Sequence, residues 1–188
     1  MIPYTTTARA DTGVSNVTLG IWLFLASEVM LFGALFSSYA LLRVSASAWP
    51  AGRDVLSLGL GAANTVVLML MTGVFWRARS ASWPAAQRLI LASCALALVF
   101  LGIKTVEYAG EIRQGLVPSV NTFLATYFTL TGLHALHVIG GLVANLWAAT
   151  GAARVGLEMT AGRVCALSLY WVFVDVVWLI IFVLFYLS

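Results

Sequence analysis

Glu28, Lys104, His134, His137 and Asp175 can hold a proton, an ion or a metal, and each stands in a stretch that is otherwise apolar. An isolated charge in such surroundings must pair, reach water or be neutralised. Glu28 lies about eleven residues into an otherwise uncharged window over 17–42. Two readings stay open for it: a carboxyl that handles a proton or touches lipid, or a neutral acid hydrogen-bonded to a neighbouring helix through Ser27, Ser37 or another hydroxyl. Asp175 has the same problem with a side chain too short to reach an interface. His134 and His137, spaced i, i+3, fall on one side of a helix, so an Asp175–histidine bond between two helices would satisfy both partners. The sharper alternative makes the two histidines metal or haem ligands. With no other His in the chain, carboxylates would then have to complete the shell. Lys104 is one turn from both Glu107 and Tyr108, with Glu111 one turn further, which suits a structural ion pair, local or to the next helix. Cys94 and Cys165 have no partner at metal-ligand or disulfide spacing and are expected to pack.

The elements that must position these groups follow from composition. Of 188 residues, 62% are apolar and only 9% charged, against roughly 45–50% apolar in soluble domains. That balance excludes a disordered chain, a disulfide scaffold and a soluble enzyme. The net charge of +3 sits in short loops and marks no face for nucleic acid. No phosphate loop and no nucleophile with a nearby base in a water-facing loop is visible. A bilayer core of ~30 Å needs about 20 helical residues, and five windows qualify: 17–42, 55–76, 89–109, 121–150 and 164–187. The expected architecture is an all-α membrane protein, a polar tail (1–16) followed by a five-helix transmembrane bundle (17–188) with loops of about ten to fifteen residues. The polar tail argues against a cleaved signal peptide. Arg9, Arg77, Arg79, Arg88, Arg154 and Arg163 lie on one side and Arg43, Arg53 and Arg113 on the other. By the positive-inside rule the N-terminus is cytoplasmic and Ser188 external. Trp22, Trp76, Trp83, Tyr39 and Tyr186 lie near span ends, as aromatic belts require. Gly33 with Ser37, and Gly61 with Thr65, look like close helix-packing faces.

The polar residues also stand in segments with a family resemblance. Gly20-Ile21-Trp22-Leu23-Phe24-Leu25-Ala26-Ser27-Glu28-Val29-Met30-Leu31-Phe32 resembles the opening of the helical core of subunit III of the haem-copper oxidases, cytochrome c oxidase and quinol oxidase alike. Lys104-Thr105-Val106-Glu107-Tyr108 is similar to that family's Lys/Gln-x-x-Glu-Tyr segment. Thr131-Gly132-Leu133-His134-Ala135-Leu136-His137-Val138-Ile139-Gly140-Gly141 resembles its Thr-Gly-x-His-x-x-His-Val-x-x-Gly helix. Tyr170-Trp171-Val172-Phe173-Val174-Asp175-Val176-Val177-Trp178 is similar to its Tyr-Trp-His-Phe-Val-Asp-x-x-Trp signature. Two departures stand out. The chain resembles the shorter five-helix bacterial type, and Val172 replaces the usual His.

The resemblance implies an accessory subunit that binds no metal or redox cofactor, with haem and copper in partner subunits. It implies direct packing on subunit I, association with subunit II and other respiratory subunits, and residence in the bacterial inner (cytoplasmic) membrane. Such a subunit stabilises the catalytic subunit, supports proton uptake and binds phospholipid. Glu28 carries over as the buried carboxyl, and Lys104, Glu107, Tyr108, His134, His137 and Asp175 as the polar network of the bundle. Two alternatives remain at this stage. One is a related subunit accompanying nitric oxide reductase. The other is a small proton-coupled transporter using Glu28 and Asp175, although the first and last spans lack the Pro expected of broken helices.

Overall fold

The computed structural model describes residues 5–155 and 157–188; of the side chains of 151–159 nothing is described. Residues 1–4 of the expected tail, and the Arg154 side chain counted among the topology arginines, therefore lie outside the described residues. The elements are all helical: α1 (Asn16–Ser45), α2 (Gly52–Val55), α3 (Leu58–Ala78), α4 (Trp83–Arg113), α5 (Thr122–Val155) and α6 (Leu157–Tyr186). Five of them are long and apolar enough to cross a membrane.

Local chemistry sets the ends. Ser15 caps α1 by accepting the Thr18 N–H at 3.2 Å, and Asn121 does the same for Leu124 at 2.8 Å before α5. Pro84 sits in the first turn of α4, where its missing N–H costs nothing. The short α2 was not anticipated. Its Gly52 N–H donates to the Ser188 carbonyl at 3.0 Å, tying the loop after α1 to the end of α6. The loop expected between the fourth and fifth spans is instead mostly helix, with α5 continuing to Val155 and α6 beginning at Leu157. Arg154, Glu158 and Arg163 lower the hydropathy there, but the intervening sequence contains no Pro. Charge marks where a chain leaves hydrocarbon, whereas only backbone chemistry ends a helix.

Helices α3, α4, α5 and α6 close a four-helix ring in which each packs on two neighbours, and α1 lies outside it over the α5–α6 seam. Phe75, Ile90, Phe100, Tyr127, Val138, Trp171 and Trp178 fill the ring. Helix α1 buries only Leu25, Phe32 and Tyr39, one residue per seven, and the rest of its surface is open. Gly61 leaves room on α3 for α6, since a Cβ there would stand 2.6 Å from the Tyr186 ring. Gly33, by contrast, has nothing within 4 Å, so of the two small-residue faces only Gly61 with Thr65 packs within this chain. Trp22 and Trp76 are exposed near helix ends, but Tyr39 and Tyr186 are buried and serve the core.

Candidate functional site

The densest polar cluster lies toward the end of the bundle that carries Ser188. Lys104 and Glu107 on α4 are one turn apart, and the Lys104 Nζ donates to Glu107 Oε2 at 2.8 Å. It also donates to the Tyr127 hydroxyl of α5 at 2.9 Å and to the Tyr186 hydroxyl of α6 at 3.1 Å. Three N–H groups thus meet three acceptors, and the ammonium is saturated. The tyrosines pass the interaction on. Tyr186 donates to Glu107 Oε1 at 2.7 Å and Tyr127 to Glu111 Oε1 at 2.9 Å. Each tyrosine proton is thereby committed to a carboxylate, so the 3.2 Å approach of the two hydroxyls is a contact between acceptors. Lys104 also lies over the Tyr108 ring, 4.8 Å from its centroid. The Tyr108 and Thr131 hydroxyls are 2.5 Å apart, and Thr131 spends its own proton on the Tyr127 carbonyl at 2.6 Å, which makes Tyr108 the donor. Only Glu111 Oε2 is left without a partner among the described residues.

The two histidines part company. Positions i and i+3 differ by about 60° around a helix, enough to send His134 into the ring and His137 toward α1. His134 is 1% exposed. Its ring stands 5.2 Å from that of Trp178 and 5.7 Å from that of Phe100, and neither nitrogen finds a hydrogen bond among the described residues. His137 Nδ1 lies 2.8 Å from the Leu133 carbonyl, and Nε2 lies 2.9 Å from Glu28 Oε2. A carbonyl only accepts, so Nδ1 carries a hydrogen and Nε2 and Oε2 share one proton between them. The partner of Glu28 is thus an imidazole rather than the serines considered from sequence. Ser27 bonds its own helix at Phe24 O. Tyr170 closes the seam by donating to the His137 carbonyl at 2.7 Å.

Asp175 does not meet a histidine. Helix α6 turns it toward α3, where its carboxyl lies beside Thr72, and no hydrogen bond of ordinary geometry reaches Asp175 Oδ1 or the Thr72 hydroxyl. The expected α5–α6 bond is therefore corrected to an α3–α6 approach. The residues that do join those helices were missed from sequence. Trp171 Nε1 donates to Asn145 Oδ1 at 3.0 Å, and Asn145 Nδ2 to Ser93 Oγ at 3.2 Å. Trp178 Nε1 donates to Thr65 Oγ1 at 3.0 Å. A usable signal existed: Tyr127, Thr131, His134, Val138 and Asn145 recur at helical spacing and share the inner face of α5.

Cys94 is buried as expected, but Cys165 is exposed, with Arg79 Nη2 3.6 Å from its sulfur. Among the described residues no three His, Cys, Asp or Glu side chains gather as a metal set would. An apolar groove of about 250 Å³ runs between α1 and α5, lined by Leu35, Tyr39, Leu42, Thr126 and Leu130.

An all-helical five-span bundle in which several buried polar groups bond across helices defines a class of multi-pass membrane protein, and comparison with known proteins narrows it. A family model described as cytochrome c oxidase subunit III matches residues 5–188. The chain is 32% identical over 185 residues to the cytochrome bo(3) ubiquinol oxidase subunit 3 of Pseudomonas aeruginosa, covering 94% of this chain and 87% of the relative. It is 30% identical over 177 residues to the cytochrome c oxidase subunit 3 of a Bacillus species (strain PS3), covering 92% and 86%. Over 184 residues it is 31% identical to the heme-copper oxidase subunit I+III of Aeropyrum pernix, covering 92% of this chain and 23% of the relative. The chain belongs to the cytochrome c oxidase subunit III family and is a subunit of a haem-copper terminal oxidase.

Proposed function

We propose that the protein is the accessory third subunit of its oxidase, without a redox centre of its own, packed directly on subunit I in the bacterial cytoplasmic membrane with its N-terminus on the cytoplasmic side. The observation that carries this is how the polar groups at membrane depth are used. Lys104, Glu107, Tyr127 and Tyr186 satisfy one another across three helices, and Glu28 and His137 do so across α1 and α5. Both histidines are occupied in ways that suit packing, one lying edge-on to Phe100 and tilted against Trp178 and the other held at both nitrogens. Haem and copper belong, on this reading, to the partner subunits.

Direct contact with subunit I is supported by the Aeropyrum relative, whose name joins subunits I and III in one chain. The apolar α1–α5 groove supports a phospholipid acyl chain as a resident of the subunit. By stiffening the bundle beside the catalytic subunit, the polar clusters would sustain its proton uptake over many turnovers. The test is purification in mild detergent followed by an optical spectrum. The assembled complex is expected to show haem bands that remain with the other subunits when this chain is stripped away. Stoichiometric haem on the isolated chain would overturn the proposal.

A further inference from the structure

The cluster around Lys104 is unbalanced in charge and in hydrogen bonds. Lys104 and Glu107 are each 3% exposed and Glu111 5%, so with both carboxyls ionised two negative charges face one positive charge away from water. Neighbouring elements do not correct this. Helix α3 has no ionisable side chain between Leu58 and Trp76, and Arg113 of α4 is exposed. Helix α5 offers Tyr127 at this level and His134 two turns deeper, and α6 offers Tyr186 at this level and Asp175 three turns deeper. Tyr108 is bonded to Thr131. Glu107 receives two donors, Lys104 and Tyr186. Glu111 receives one, Tyr127, and its Oε2 is buried with no partner among the described residues.

The hydrogens placed above are those of an ionised Glu111. They leave the Tyr127 and Tyr186 oxygens 3.2 Å apart with no hydrogen between them. A proton on Glu111 Oε1 changes this. The acid O–H donates to the Tyr127 oxygen along the same 2.9 Å line, the Tyr127 hydrogen swings to Tyr186, and Tyr186 still donates to Glu107 at 2.7 Å. One O–H bond forms and none breaks, the proton coming from the aqueous phase at the end that carries Ser188, where Glu111 stands in the last turn of α4. Each tyrosine oxygen then accepts two bonds, one of them from Lys104, and donates one, which is its full capacity. Glu111 Oε2 becomes the carbonyl of a neutral acid, which costs less to leave bare than half of a carboxylate. The cluster is now neutral, and α5 and α6 have gained a bond. We propose that Glu111 is a proton-binding site, and that the proton it takes up completes a hydrogen-bonded chain from Glu111 through Tyr127 and Tyr186 to Glu107. Proton uptake at one carboxyl thereby bolts α4, α5 and α6 together. Stability falls as pH rises, because the folded chain holds a proton that the unfolded chain has released.

The test is infrared spectroscopy of the purified full chain in detergent. At neutral pH the carbonyl band of one protonated acid is expected to vanish in Glu111→Gln, whose amide N–H keeps the bond to Tyr127. Tyr186 bonds Glu107 rather than Glu111, yet Tyr186→Phe removes the acceptor for the turned Tyr127 hydrogen. It is expected to lower the proton affinity of Glu111 about tenfold, the scale of one hydrogen bond, read as the midpoint of that band in a pH titration. Thermal unfolding is the second readout. The wild-type Tm is expected to fall as pH rises, and that of Glu111→Gln to fall less, since the amide has no proton to lose. Protonated-acid bands identical in wild type and Glu111→Gln would overturn the proposal. So would an unchanged midpoint in a folded Tyr186→Phe variant, or, where that variant does not fold, an equal pH dependence of Tm in wild type and Glu111→Gln.

Discussion

Lys104→Met tests whether the four-residue cluster holds the bundle together. The substitution keeps the length of the stem and removes the ammonium, leaving Glu107, 3% exposed, without the partner at 2.8 Å. Breaking a buried ion pair from one side costs roughly 3–5 kcal/mol in soluble proteins, and less in membranes, where a freed group finds other partners. Here relief is partial, because Tyr186 still donates to Glu107 and Tyr127 to Glu111. We expect a loss of about 3 kcal/mol, which for a chain of this size corresponds to a fall in Tm of ~6–12 °C. Thermal unfolding in detergent, followed by loss of the monodisperse peak, measures it. Adding Glu107→Gln to Lys104→Met removes the stranded carboxylate and should recover a large part of the loss. Wild-type Tm for Lys104→Met, or no recovery in the double variant, would refute the view that the hydrogen-bonded cluster around the Lys104–Glu107 pair holds α4, α5 and α6 together.

Three further outcomes follow from the contacts. Glu28→Gln keeps the bond to His137, since a neutral Nε2 can accept the new amide N–H, so assembly, turnover and pH profile should match wild type. A changed pH profile in fully assembled complexes would instead assign Glu28 to proton handling. Glu28→Ala strands His137 Nε2 and should cost about 1–3 kcal/mol of stability in the isolated subunit, read as a lower Tm. Gly141→Val places a Cβ where the Trp171 ring stands 2.6 Å away, and the displaced indole loses Asn145. Overpacking of this kind costs about 1–3 kcal/mol, visible in thermal unfolding and in Trp fluorescence.

The number of spans was legible because hydropathy alone counts crossings. Helix ends were less so. Lys104 closes the apolar run of the third span yet lies mid-helix, its charge met by Glu107, Tyr127 and Tyr186 from three helices. Spacing placed Lys104 and Glu107 together correctly, since neighbours on one helix are fixed by geometry. It could not say that His134 points inward and His137 toward α1, because a 60° difference decides nothing until the neighbouring helices are placed. Tyr39 and Tyr186 read as interfacial by their position near span ends, but tertiary packing buries both. The Asp175 partner was misassigned for the same reason: the sequence shows a need for a partner, and only the arrangement of helices shows which one is near.

Tyr186 has a consequence for the order in which the protein is made. It stands 82 residues after Lys104, so at ~5–20 residues per second the ribosome needs roughly 4–16 s to supply it. During that interval Lys104 and Glu107 can reach each other and, from α5, Tyr127, but Glu107 still lacks one of its two donors and α3 has no α6 to lie against. The fourth side of the ring therefore closes late. A nascent chain interrupted between α5 and α6 leaves the Lys104 ammonium one acceptor short and Glu107 one donor short, while Glu111 already has Tyr127.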